Sequence, residues 1–157
     1  MKKAKVIILN YNGIDFYKVE EVYAHAKDTE DWKLWELVFQ TEHSTTYLNS
    51  LEAIVLIQLA KKYNYWRLWQ EVMKRKFVLD YLKKLTPTDA IDLASKINDW
   101  HLWKIIISNQ KVLDYLQNLT PNDAVIYSRK PGRDPLWKKT INRKDVQDYL
   151  CEIEKVA

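Results

Sequence analysis

Glycine occurs only twice and proline four times in this chain, so phosphate-cradling glycine loops and turn-dense β architectures are disfavoured from the outset. Cysteine is nearly absent. Cys151 stands alone, which rules out an internal disulfide and points to a reducing compartment. The three histidines, His25, His43 and His101, are remote from one another and from Cys151. No pair has ligand spacing, so neither a zinc site nor a thiol-protease site is expected. Long apolar runs are missing too: Val6–Leu9 and Ile105–Ile107 are far too short to span a bilayer. Lys2 and Lys3 precede an apolar stretch, but Asn10, Asn12 and Asp15 interrupt it too early for a signal-peptide core. The expectation is a cytoplasmic protein.

What the chain does have is tryptophan, seven in all, in a single register. Trp32-Lys33-Leu34-Trp35 returns 34 residues later as Trp66-Arg67-Leu68-Trp69, then as Trp100-His101-Leu102-Trp103, and finally as Asp134-Pro135-Leu136-Trp137. Other columns keep the interval: Asp80, Asp114 and Asp148, each followed by Tyr-Leu, and Ala26, Ala60 and Ala94. A fixed period of this size marks units that each bury an apolar face only by stacking on a neighbour.

The period predicts an all-α fold, a short α-solenoid of about four 34-residue repeats with atypical terminal units. Its frame runs from a partial N-terminal unit at 1–30 through units at about 31–64, 65–98 and 99–132 to a C-terminal cap at 133–157, all in one domain. Within a unit the apolar spacing gives three short helices. Thr86-Pro87-Thr88-Asp89 and Thr120-Pro121-Asn122-Asp123 are helix starts: the threonine hydroxyl accepts an orphan amide, proline fits the first helical position, and aspartate suits the positive end of the dipole. Asp31 and Asp99 are expected to cap the tryptophan helices. Asp15 is expected to cap a helix over residues 16–27, and Ser50 or Asn49 the long run that follows. Residues 4–9 fit either a strand, turned at Asn10–Gly13, or a capping half-unit. The Asp80, Asp114 and Asp148 column is expected to accept bonds from an indole N–H or from amides of an adjoining helix.

Residues 86–107 resemble a degenerate ankyrin repeat, in the Thr-Pro start, the Leu93-Ala94 step and the apolar second helix. The period with its leading tryptophan is similar to tetratricopeptide arrays. The departures are Thr88-Asp89 where ankyrin units carry leucine and histidine, and Asn98-Asp99 where they carry the joint glycine. What the resemblance implies is binding of a protein or peptide along one face.

No catalytic constellation is legible, so the expected activity is protein binding by an adaptor that is not an enzyme, holds no metal and needs no cofactor or small-molecule substrate. The protein partner could belong to the cell's own cytosol, or to a host's if the chain is a secreted bacterial effector. A nucleic-acid binder is the alternative. Residues 1–52 carry 6 basic and 9 acidic side chains, residues 53–157 carry 19 and 12, and phosphate contacts would come from Lys74, Arg75, Lys76, Arg129, Lys130 and Arg133. Of the two tryptophan columns, the first (Trp32, Trp66, Trp100) is the expected binding column. It gives way to Asp134 while Trp137 stays, and a residue needed at every interface between units would not be lost alone.

Overall fold

A computed structural model describes residues 5–156. Lys2, Lys3 and Ala4, at the head of the expected N-terminal arm, lie outside the described residues, as does Ala157.

Among the described residues the chain is all-α apart from one small hairpin. The hairpin pairs β1 (Leu9–Tyr11) antiparallel with β2 (Ile14–Phe16). Its turn is Asn12-Gly13, both at positive φ (51° and 81°), the pairing that two-residue hairpin turns demand. Asp15 therefore lies in a strand and accepts from the Asn10 amide at 2.6 Å; it caps nothing. Of residues 4–9, Ala4 lies outside the described residues, residues 5–8 lead into β1 and Leu9 is its first residue.

Twelve helices follow among the described residues. The first helices of four successive triplets are α1 (Val19–Asp28), α4 (Ala53–Tyr63), α7 (Pro87–Ile97) and α10 (Pro121–Ser128). The second are α2 (Trp32–Phe39), α5 (Trp66–Met73), α8 (Trp100–Ile106) and α11 (Asp134–Ile141). The third are α3 (Glu42–Asn49), α6 (Lys76–Lys84), α9 (Gln110–Gln117) and α12 (Lys144–Val156). In each of the three positions the starts are 34 residues apart. Each tryptophan helix packs on the helix before it, α2 on α1, α5 on α4, α8 on α7 and α11 on α10. The natural triplet thus opens one helix earlier than the tryptophan motif does. The chain divides into two compact units between Val78 and Leu79.

Local chemistry explains the starts. Thr86 and Thr120 accept from the amides of Asp89 and Asp123, each at 3.2 Å, ahead of Pro87 and Pro121. Asp31 accepts from Lys33 and Leu34, and Asp99 from His101. The second triplet has lost the Thr-Pro, and Glu52 occupies its N-cap without a side-chain bond. Neither Ser50 nor Asn49 substitutes for it: the Ser50 hydroxyl donates to the Tyr47 carbonyl, and the Asn49 side chain accepts from Arg75.

Each turn from first to second helix carries one left-handed residue, and these too recur every 34: Glu30 (φ 52°), Asn64 (50°), Asn98 (51°) and Gly132 (77°). After α1 the amides of Glu30 and Asp31 bond back to the carbonyls of Lys27 and Ala26, closing the helix end in a Schellman turn. Asn98 does here what a joint glycine does elsewhere, because a short amide side chain tolerates this conformation. Glutamate tolerates it poorly, so Glu30→Gly is expected to raise stability by about 1 kcal/mol. Gly132→Ala should cost about 2 kcal/mol or more, since it adds left-handed strain and a Cβ only 2.7 Å from the Ser95 carbonyl oxygen. Chemical denaturation of the two variants should move the midpoint in opposite directions.

The core is the inner stripe of every helix. Trp35, Trp69 and Trp103 are 2%, 1% and 2% exposed, each preceded by a buried leucine. In the first unit Trp35 stacks on Tyr65 (ring centroids 4.9 Å) and Phe39 (5.6 Å) and also meets Tyr23 (5.1 Å). In the second, Ala124, Val125 and Val146 are buried under Leu119, Trp137, Tyr149 and Leu150. The aspartate column takes no part. Asp114 is exposed and accepts from Gln110 on its own helix at 2.7 Å, while the buried Trp103 indole N–H has no hydrogen-bond acceptor.

Candidate interaction surface

The first tryptophan column is on the outside. Trp32, Trp66 and Trp100 are 61%, 52% and 65% exposed, although each stands only three residues before a buried indole. The cause is local. Each is the first residue of its helix, directly after the left-handed turn, and so projects from the end of the helix pair rather than from its packed side.

Each exposed indole has a cation over its ring: Lys33 at 5.8 Å from Trp32, Arg67 at 5.5 Å from Trp66, Lys104 at 5.2 Å from Trp100. In the first unit the two turns lie side by side. Lys27 at the end of α1 donates to the Lys62 carbonyl at the end of α4 (2.6 Å), and Arg67 on α5 pairs with Glu36 on α2 at 2.9 Å. The hairpin is tied to the same place. Tyr11 donates its hydroxyl to Asp31 at 2.7 Å, so the Asp31 carboxyl is held below the usual carboxylate range, first by that bond and then by the Leu34 and Lys33 amides. In the second unit the turn between α10 and α11 packs on the end of α7 through Gly132 and Arg133.

The basic candidates differ in exposure. Arg75 and Arg133 are only 8% and 6% exposed. Arg75 donates to the Asn49 side chain (2.8 Å) and to the Glu71 carbonyl, with the Glu71 carboxylate 3.6 Å away. Arg133 donates to Ser95 (3.0 Å), to the Tyr127 carbonyl (3.2 Å) and to Asp92 (2.7 Å), and lies 4.4 Å over the Tyr127 ring. Both guanidiniums hold helices together, and all three nitrogens of Arg133 are engaged within the protein. Lys74, Lys76, Arg129 and Lys130 are exposed. Lys74 pairs with Glu71 at 2.7 Å, Arg129 lies 4.5 Å over Trp137, and Lys130 lies 5.6 Å from the Tyr127 ring.

No family model, curated protein or solved structure matches this chain. Among the described residues no cluster of His, Cys, Asp or Glu side chains could hold a metal ion, and no helix is long and apolar enough to cross a membrane. A groove of about 420 Å³ runs beside the hairpin, lined in part by Ile8, Tyr17, His43 and Tyr47. The Tyr47 hydroxyl donates to Glu20 at 2.8 Å. Burial and that carboxylate push its ionisation well above the tyrosine norm, so it is a structural hydroxyl and no ready acid or base.

Sequence reasoning missed the left-handed column, although Asn64, Asn98 and Gly132 signal it. It also missed the hairpin's bond to Asp31, which no local pattern announces.

Proposed function

We propose that the chain is a helical-repeat protein-interaction module, similar in kind to ankyrin-like and tetratricopeptide-like arrays, with no chemistry of its own. Trp32, Trp66 and Trp100 are its contact residues. The observation behind this reading is the split between two columns of one residue type, one buried at Trp35, Trp69 and Trp103 and partly so at Trp137, the other more than half exposed at Trp32, Trp66 and Trp100. Exposed large apolar side chains at repeated positions are the informative exception on a protein surface. Tryptophan is also the residue most enriched among those that dominate binding energy. The partner is a protein of the same cytosol, or of a host's if the chain is exported.

The test compares the wild-type chain with Trp32→Ala/Trp66→Ala/Trp100→Ala as bait in a lysate of the source cell. The expected result is a protein retained by the wild type, even at high salt, and lost by the variant, whose helical circular dichroism is unchanged. Identical retention by both would sink the reading. The cation over each indole favours a second one, in which bases stack on the tryptophans and phosphates meet the cations. It requires affinity that falls steeply with salt.

A further inference from the structure

We infer that the parts of the partner that meet these turns are acidic and carry aromatic or aliphatic side chains, an inference that rests on the reading of the exposed tryptophans as a protein contact. In the second triplet, residues 53–70 hold Lys61, Lys62 and Arg67 and no carboxylate; Arg67 is paired with Glu36 of α2, so the charge offered at this turn is that of the two lysines. Lys61 and Lys62 are exposed at the end of α4, just before the Trp66 turn. In the third, exposed Lys96 and Lys104 flank Trp100, and the intervening Asp99 is 8% exposed and occupied in capping α8. In the fourth, Arg129 and Lys130 are exposed and the first carboxylate to follow is Asp134. Three turns of four thus present positive charge, two of them around an open indole face, a combination whose complement is apolar side chains interspersed with carboxylates.

The same charges disfavour a nucleic acid. A polyanion needs a dense basic track. Residues 1–78 carry 12 basic and 10 acidic side chains and residues 79–157 carry 13 and 11, a net +2 for each unit. The first triplet's turn exposes Asp28 and Glu30 beside Trp32, where a phosphate backbone would be repelled. Arg75 and Arg133 are already committed internally. A protein segment needs carboxylates only where the cations are, and leaves the first turn to an apolar contact.

The test uses fluorescence anisotropy of dye-labelled probes on the full chain: a short peptide of repeated Glu-Glu-Phe, its Lys-Lys-Phe counterpart, and an oligothymidylate. The acidic peptide should bind and the basic one should not, with affinity lowered roughly tenfold or more by Trp66→Ala and by Lys62→Glu. Equal binding of both peptides, lost in Trp66→Ala, would overturn the acidic class and leave the tryptophan surface standing. Binding of the acidic peptide that survives removal of all three exposed tryptophans would overturn the surface itself. Tighter binding of the oligothymidylate would overturn both in favour of nucleic acid. No binding of either peptide would overturn the inference and leave the lysate comparison unaffected.

Discussion

Replacing Trp35 by alanine is expected to cost about 3–5 kcal/mol of stability, while replacing Trp32, three residues earlier on the same helix, should cost about 1 kcal/mol or less. Trp35 is 2% exposed and sits among Tyr23, Phe39, Tyr63 and Tyr65, with ring centroids between 4.9 and 5.9 Å away. Its removal forfeits the transfer energy of an indole, the aromatic pairing and the filled volume together. The surrounding rings are large and held in place by their own helices, so little collapse can offset the cavity. Trp32 is 61% exposed and gives up on truncation its contact with Lys33. Urea unfolding followed by circular dichroism measures both. Similar costs for the two variants would remove the distinction on which the interaction surface rests. The same contrast should hold for Trp69 against Trp66 and for Trp103 against Trp100.

The sequence carried the period, and the period carried most of the fold. A residue type repeated every 34 positions must meet the same environment each time if the units are alike. The helix starts at Trp32, Trp66, Trp100 and Asp134 keep that interval, and so do the threonine caps at Thr86 and Thr120. What the pattern could not separate was a buried column from an exposed one. Two tryptophans at i and i+3 lie on one helical face, and only their distance from the helix end decides which is covered. The exchange of Trp100 for Asp134, where the preceding turn also changes to Pro131-Gly132, was the one hint. Charges were the least legible feature. Lys74-Arg75-Lys76 reads as a basic patch, yet Arg75 bonds to Asn49, 26 residues away. Arg133, written into a basic loop, clasps Asp92, 41 residues away. Such long-range bonds leave no local trace. The aspartate column misled for the opposite reason: a recurring polar residue suggests a recurring long-range bond, but Asp114 needs only solvent and Gln110.

The first unit is expected to unfold in alkali, and Tyr23 sets the pH range. Its ring is fully buried, and burial pushes its ionisation from the ordinary 10.0 up to about 12, opposed by a hydrogen bond with Ser44 at 2.6 Å. The folded chain therefore holds this proton more tightly than the unfolded chain does. The stabilisation is present in full below pH 10 and is lost progressively as pH rises towards 12. A displacement of that size corresponds to about 3 kcal/mol. Tyr47, Tyr63 and Tyr65 in the same unit are raised as well, each chiefly by burial, which should steepen the loss. Urea midpoints measured from pH 8 upward, with tyrosinate absorbance recorded in parallel, should fall together with the appearance of tyrosinate. Tyr23→Phe alone would strand the Ser44 hydroxyl in the core at a cost of about 1–3 kcal/mol. Tyr23→Phe/Ser44→Ala removes both partners and should be nearly neutral at pH 8, yet retain more stability than the wild type at pH 12. If the double variant and the wild type lose stability in parallel across that range, the buried phenol is not the group that makes the unit sensitive to alkali.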